Sequence, residues 1–468
     1  VNTLRSQAAA AQPNPHYDVA LVGGGFSGTV VAVQLARLAQ RPLRLIIFDR
    51  DGAFGRGAAY APDADRFVLN VRAKAMGAFP DAEDDFLHWL RGTGYGAGDP
   101  DLGERFVPRR LYGEYLGALL DRSAAGMVRI ERRRASVAAV VPLTDGYAIE
   151  TACATRISAK AVVLAIGNLP PGGCGDALPP GAMARHARNP WELIARSQVD
   201  RDADVLIVGT GLTALDVLLH VTANAHRAAI TMLSRHGRFP LAHAASPAGG
   251  AAALPPVLGK PLDVLRAVRR HLREAARSGQ TWQSVIDGLR PQTNRIWEGW
   301  TTAERRQFAR HLESVWESCR HRSPQATLDV ARAQLQTGRL RLVRGRVRAI
   351  EPDGPALRIS YGGCETAELG VLRADVVVDC TGPRLRLAAS GDPLIENLFA
   401  RELARPGPLG IGLAAAPDGT LSAAGRPPLF ALGTPLRGML AESSAVREIR
   451  VQALTVARAI LAALQPAG

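Results

Sequence analysis

Apolar positions in this chain fall into short unbroken runs, separated by longer stretches with helical spacing. Residues 19–22 are wholly apolar, and Leu43-Arg-Leu-Ile-Ile-Phe-Asp49 reads as a second buried strand that closes on an acid. Between them Val30, Val31, Val33, Leu35 and Leu38 recur at helical intervals, so the opening segment predicts strand, helix, strand. Helical spacing returns at 84–90 and 110–120. Residues 128–150 alternate, with a turn at Thr144-Asp-Gly146, and predict a small antiparallel layer. Residues 160–166 make another buried strand, stopped by Gly167 and followed by Pro170-Pro-Gly-Gly, a plausible domain junction.

The opening pattern then repeats. Residues 205–208 are apolar and run into a glycine turn and a helix, and 229–235 predict the next strand. From Leu262 to about Gly338 the pattern is helical. Phe308, Leu312 and Trp316 share one face there, a stripe that reads as packing. Strands return at 340–350, 374–382 and 428–433. A last helix carries Ile449, Ala453, Val456, Ile460 and Leu464 on one side, with Pro466 beyond.

Both strand-to-helix turns carry glycines at the spacing a dinucleotide requires. Gly23, Gly25 and Gly28 form G-x-G-x-x-G, for a tight turn, close approach of backbone to a pyrophosphate, and close seating of helix on strand. Amides at the helix start then face the phosphates. Asp49, ending the next strand, stands where a carboxylate accepts hydrogen bonds from ribose hydroxyls. In the second unit Gly209 and Gly211 match the first two glycines, and Ala214 takes the third place. Its following strand ends in Ser234-Arg235 instead of an acid. A serine and a guanidinium suit a 2′-phosphate, so this site predicts NADP over NAD; an exposed strand-end charge is the alternative for Arg235.

Length and composition narrow the class. At 468 residues the chain predicts two or three domains, and 47% hydrophobic content is too high for a disordered protein. No apolar run approaches the roughly 18 residues a membrane helix needs, and residues 1–16 lack an apolar signal core. The expectation is a cytoplasmic protein with a disordered N-terminus at 1–16 and no membrane partner. The formal charge is +14, but the basic residues are dispersed and aromatics are 5%, which argues against a nucleic-acid partner. Five cysteines, Cys153, Cys174, Cys319, Cys364 and Cys380, are widely separated without a C-x-x-C, and no metal-ligand set is compact.

The fold class is therefore α/β, with two Rossmann-like dinucleotide-binding domains, an NAD(P) domain inserted into a discontinuous FAD domain, and a helical insertion. The boundaries are 17–170 and 366–468 for the FAD domain, and 171–365 for the NADP domain with its insertion at about 255–338. Gly55-Arg-Gly-Ala-Ala-Tyr60, Leu69-Asn-Val71, Phe106-Val-Pro-Arg-Arg-Leu-Tyr-Gly-Glu-Tyr115, Ala165-Ile-Gly-Asn168, Gly209-Thr-Gly-Leu-Thr213, Ser234-Arg-His-Gly237 and Gly433-Thr-Pro-Leu-Arg-Gly438 resemble the bacterial FAD/NAD(P)-binding protein family. So do residues 316–322 and Ala445-Val-Arg-Glu-Ile-Arg450. That family is similar to flavin-containing and N-hydroxylating monooxygenases.

The resemblance implies FAD at the first site and NADPH at the second. It assigns Gly23, Gly25, Ser27, Gly28, Asp49, Arg50, Asn70, Gly167, Gly209, Gly211, Thr213, Ser234, Arg235, Gly433 and Arg437 to cofactor binding. Asn168 and Asn70 are the candidates for contact with the reacting flavin; for Asn168 a capping or turn amide is the alternative, and for Asn70 a hydrogen-bonded core amide. The implied activity is a monooxygenase in which a flavin C4a-hydroperoxide, formed with molecular oxygen, oxygenates a small amine or sulfide. The alternatives are an NADPH-dependent flavin dehydrogenase or reductase, and a non-catalytic nucleotide-binding redox sensor. Arg310, His311, Arg320, His321 and Arg322 suit a small-molecule substrate with an acidic group, a solvated basic surface being the alternative. Three departures stand out. There is no redox C-x-x-C, Thr434 follows Gly433 where many flavoproteins carry Asp, and residues 185–191 replace the F-x-G-x-x-x-H-[ST] fingerprint.

Overall fold

The computed structural model describes residues 16–465 except 63, 174–177, 197–198, 224, 246–251, 253, 364–368 and 424. The N-terminus before residue 16, Cys174, Cys364 and Pro466 lie outside the described residues.

The first unit is built on a seven-stranded sheet. Its strands are β1 (His16–Val22), β2 (Leu43–Asp49), β3 (Val128–Arg134), β4 (Val137–Leu143), β5 (Gly146–Thr151) and β6 (Arg156–Leu164), in the order β3-β2-β1-β6-β5-β4. The seventh strand, Leu429–Ala431, comes from near the end of the chain and pairs in parallel with β6. Strands β1, β2, β3 and β6 are parallel, while β4 and β5 run antiparallel. Here the structure corrects the expected antiparallel layer over 128–150. Residues 128–134 form the parallel edge of the main sheet beside β2, and only the hairpin after them is antiparallel.

Why β1 is apolar without alternation follows from its two covered faces. Val19 and Leu21 pack with the helices Phe26–Leu38, Arg109–Ala124 and Val446–Ala463, whereas Ala20 and Val22 face Leu394, Ile395 and Leu398. Each side chain buried in this way contributes about 1.5–3 kcal/mol for Val, Leu or Ile.

The second unit lies between β6 and the Leu429–Ala431 strand in sequence. It contains β7 (His186–Ala187), β8 (Val205–Val208), β9 (Ile230–Ser234), β10 (Leu340–Arg344), the antiparallel sheet of β11 (Arg346–Asp353), β12 (Ala356–Gly362) and β13 (Leu369–Ala374), and β14 (Val376–Asp379). The parallel sheet has the order β10-β9-β8-β14-β7. Strand β14 sits between β8 and β7, so the boundary expected at 365/366 falls inside this unit: Val376–Asp379 completes the second sheet before the chain returns to the first. With the Leu429–Ala431 strand as β15, the strands number fifteen among the described residues.

Between β9 and β10 the helical insertion runs from Pro261–Arg277 to Glu313–Arg320, short of the expected 338, because the next helix, Gln325–Gln336, packs on the second sheet through Leu328 and Ala331. Its core is Val264, Leu289, Ile296, Trp297 and Trp300, with Phe308 and Trp316 packed against it, so the aromatic stripe is packing. The Trp297 indole donates to the Gly438 carbonyl at 2.9 Å, which ties the insertion to the chain beyond β15. Among the described residues no helix is long and apolar enough to cross a membrane.

Candidate functional site

The two glycine turns are built alike. Gly23 adopts φ +111°, and a Cβ there would lie 2.2 Å from the Ala165 carbonyl oxygen at the end of β6. Gly209 adopts φ +126°, and its Cβ would lie 2.3 Å from the Cys380 carbonyl oxygen, just past β14. Each turn thus closes against the neighbouring parallel strand, and no side chain fits. A Cβ on Gly28 would come within 2.0 Å of the Gly23 carbonyl oxygen, so the helix seats directly on the turn. Nothing lies within 4 Å of a Cβ on Gly211, which leaves open space beside the second turn.

The helix Phe26–Leu38 starts at Gly25 with no side-chain cap and no acid in its first turn. Its first amides are available to an anion, which is the arrangement a pyrophosphate needs. Asp49 behaves differently from the simple expectation. Its carboxylate accepts from the amides of Gly24, Asp51 and Ala53 at 3.2, 3.0 and 3.0 Å. Three of about four acceptor sites are engaged in fastening the glycine turn to the loop after β2. Arg50 is exposed and faces Asp51 at 3.6 Å.

At the carboxyl ends of β1, β6 and β15 the predicted residues converge. A Cβ on Gly433 would lie 3.0 Å from the buried Ser27 hydroxyl, and the Gly433 amide donates to Gln452 at 2.7 Å. Thr434 donates its hydroxyl to Asn168 at 2.8 Å, one residue past Gly167. The helix expected after Gly438 runs Val446–Ala463 and has no side-chain cap; Glu448 in its first turn holds Arg290 of the insertion at 2.6–2.8 Å. A groove of about 180 Å³ beside this helix, lined by Leu436, Met439, Gln452 and Val456 among others, contains none of the predicted site residues.

In the second unit the buried Thr210 hydroxyl donates to the Arg238 carbonyl at 2.6 Å and accepts from the Ser234 hydroxyl at 3.0 Å, placing the end of β9 beside the glycine turn. Thr213 is half-buried in the first turn of the helix Leu212–Ala223. His236 is held below the usual imidazole range by burial and then by Arg235, Arg238 and Arg344. Three guanidiniums therefore surround the strand end. Arg344 comes from β10, a register that sequence alone does not reveal.

The two units meet over buried charge. Arg109 donates to Asp216 at 2.9 and 3.2 Å, and both side chains are under one-tenth exposed. Arg320 holds Glu442 at 2.9 and 3.0 Å in equal burial, whereas the Arg322–Asp287 pair lies within the second unit. Arg437 does not stand alone as a phosphate ligand: it bonds Glu317 at 2.7 Å and lies 3.8 Å from Glu313. Burial pushes the Glu317 carboxyl up, but His321 and Arg437 outweigh it and hold the group down at about 2. Burial raises Glu313. Arg310 and His311 are exposed, while Arg320, His321 and Arg322, offered by the sequence to an acidic ligand, are engaged with protein carboxylates.

Asn70 lies at this seam. Its carbonyl accepts from His243 Nε2 at 2.9 Å, and Arg72 donates to the Ala244 carbonyl at 2.7 Å. Sequence reasoning missed His243, Arg109 and Asp216. Only Arg109 carried a signal, as part of the Phe106–Tyr115 motif.

These sheets, turns and returns of the chain define an α/β fold of the two-dinucleotide-binding flavoprotein class. Residues 20–169 match a family model described as FAD-NAD(P)-binding. Among solved structures, the ornithine N-hydroxylase of Kutzneria sp. 744, in a complex with reduced FAD, NADP+ and L-ornithine, is 17% identical with TM-score 0.65, covering 96% of this chain and 99% of that one. The FAD-bound cadaverine monooxygenase of Erwinia amylovora is 12% identical with TM-score 0.67, covering 96% and 95%. The ornithine hydroxylase of Pseudomonas aeruginosa is 16% identical with TM-score 0.64, covering 96% and 100%. No curated protein matches.

Proposed function

We propose that this chain is an FAD-dependent, NADPH-using monooxygenase that oxygenates the nitrogen of a small amine. The observation that carries the reading is the seam itself: two glycine-turn units, each fit for a dinucleotide, are docked through the buried Arg109–Asp216 pair. The likeness in fold to ornithine and cadaverine monooxygenases points to an amine. The pairing of Arg320 and Arg322 within the protein removes the reason to require an acidic group on it.

The uncapped start of Phe26–Leu38 would receive the FAD pyrophosphate, and Ser27, Gly433 and Thr434 would line its ribityl chain. Ser234, Arg235, Arg238 and Arg344 would hold the 2′-phosphate of NADPH, with Thr210 orienting Ser234. When bound, the flavin supplies hydride acceptance from NADPH and activation of oxygen. The chain's part is to fix both nucleotides and keep water out.

The test is oxygen uptake by the FAD-loaded protein with NADPH and a panel of diamines and basic amino acids. Products are identified by mass and hydrogen peroxide is measured in parallel. Amine-dependent NADPH oxidation with a product 16 mass units heavier, by roughly one oxygen atom, supports the reading. Flavin reduction without any oxygenated product would establish a dehydrogenase instead. A preparation that stays colourless with added FAD would overturn the reading altogether.

A further inference from the structure

Asn70 is held by its backbone, and the residue that holds it belongs to the other unit. Its side-chain amide is half-buried and makes no hydrogen bond among the described residues, so its aim depends on where the main chain sits. The loop around it is fixed within the first unit through Leu69 to the Val107 carbonyl at 2.9 Å and Ala73 to the Arg105 carbonyl at 3.0 Å. The Asn70 carbonyl points outward from that loop and accepts from His243 Nε2. A carbonyl has no proton to give, so Nε2 carries the hydrogen.

His243 is itself immobilised. Its amide donates to the Ser323 carbonyl at 3.2 Å, and Ser323 returns a bond to the Leu241 carbonyl at 2.9 Å. The imidazole packs on Phe106 with ring centroids 4.9 Å apart, and Arg72 lies over the other ring at 5.2 Å. Arg72 closes the clasp from the opposite side through Ala244, and also donates to the Glu104 carbonyl at 2.9 Å. Two bonds of opposite sense therefore join 70–72 to 243–244. Burial, then Arg322, with a further contribution from Arg72, hold His243 down at about 4, so at neutral pH it is an uncharged donor.

We infer that His243 is a positioning residue: its Nε2–H sets the position of Asn70 at the seam, so that docking of the second unit aims the Asn70 amide toward the flavin site. The inference deepens the proposed function and rests on it for the flavin, while the clasp stands on geometry alone.

The experiment compares FAD-loaded wild type with His243→Gln and His243→Leu. Glutamine places an amide donor near the position of Nε2; leucine fills similar volume with none. The readouts are backbone hydrogen exchange over 66–76, the share of oxidised NADPH recovered as hydrogen peroxide, and KM for NADPH. His243→Leu is expected to speed exchange in that segment about fivefold and to raise the peroxide share by a similar factor, with KM within about twofold. His243→Gln is expected to restore both. If leucine leaves exchange and peroxide at wild-type values, or glutamine performs no better than leucine, the inference is overturned. Should His243→Leu not fold, His243→Asn, with a side chain too short to reach the carbonyl, takes its place. A wild-type protein that oxygenates no amine defeats the proposed function, and hydrogen exchange still decides the clasp.

Discussion

The Arg109 guanidinium grips the Asp216 carboxylate through two nitrogens, across 107 positions of chain and between two nucleotide-binding units. The third guanidinium nitrogen donates to the Val68 carbonyl at 2.9 Å, so each of the three nitrogens is engaged. A pair this deeply buried contributes less to net stability than to choosing one arrangement, because desolvation offsets most of the attraction. Removing one partner is another matter. Asp216→Ala strands a buried cation and is expected to destabilise by about 3–5 kcal/mol, read from the denaturant midpoint. Arg109→Met combined with Asp216→Leu should cost markedly less than either single change. A double variant as unstable as Asp216→Ala would mean that the charges are not the reason for the loss.

The cationic end of β9 predicts cofactor choice. Arg235→Ala should raise KM for NADPH about tenfold relative to NADH, since a charge-assisted contact to a phosphate is lost. Arg344→Ala should act in the same direction with a smaller effect. Equal changes for NADPH and NADH would place the phosphate elsewhere.

The two turns should respond differently to the same added methyl group. Gly28→Ala puts a Cβ 2.0 Å from a carbonyl oxygen and should yield protein that is destabilised and poor in FAD absorbance. Gly211→Ala meets open space, so its melting temperature should stay at wild type while KM for NADPH rises several-fold, about fivefold, if the pyrophosphate lies there. A Gly211→Ala protein with unchanged KM would locate the nucleotide away from this turn.

Glu317 predicts an acid limb in stability. Its folded carboxyl is held at about 2, below its ordinary value near 4.5. Stability from this group is therefore fully present above the ordinary value and lost as pH falls toward 2. The side chain is about one-third exposed, so solvent screening limits the effect to about 1 kcal/mol. Glu317→Gln should flatten the fall in unfolding midpoint between about pH 5 and 2. An unchanged slope would show that the contacts with His321 and Arg437 do not persist in solution.

Much of this architecture is legible in the sequence because burial on two faces leaves unbroken apolar runs. Residues 19–22, 45–48 and 205–208 announce their strands, and the glycines between strand and helix are demanded by contacts with Ala165 and Cys380. What is illegible depends on register and distance. Strand β3, with Arg132, Arg133 and Arg134 at a sheet edge, reads as a surface hairpin until β2 is placed beside it. The return of β14 to the second sheet is hidden because a buried strand looks alike in either sheet. Asp49 matches the ribose position by spacing, yet nothing in spacing tells that three nearby amides reach it first. Arg437 sits in a motif, but Glu317 meets it only after the helical insertion folds over.

The position of β15 bears on how the molecule is assembled at the ribosome. Every strand of the second sheet has been synthesised once residue 379 emerges, whereas the first sheet, begun at residue 16, waits for Leu429–Ala431 and for the Val446–Ala463 helix that covers Val30 and Val33. The unit translated first is thus the last to close. Nascent chains arrested once β14 has cleared the ribosome, and before Leu429 is added, should hold a protease-resistant second unit beside an unfinished first one.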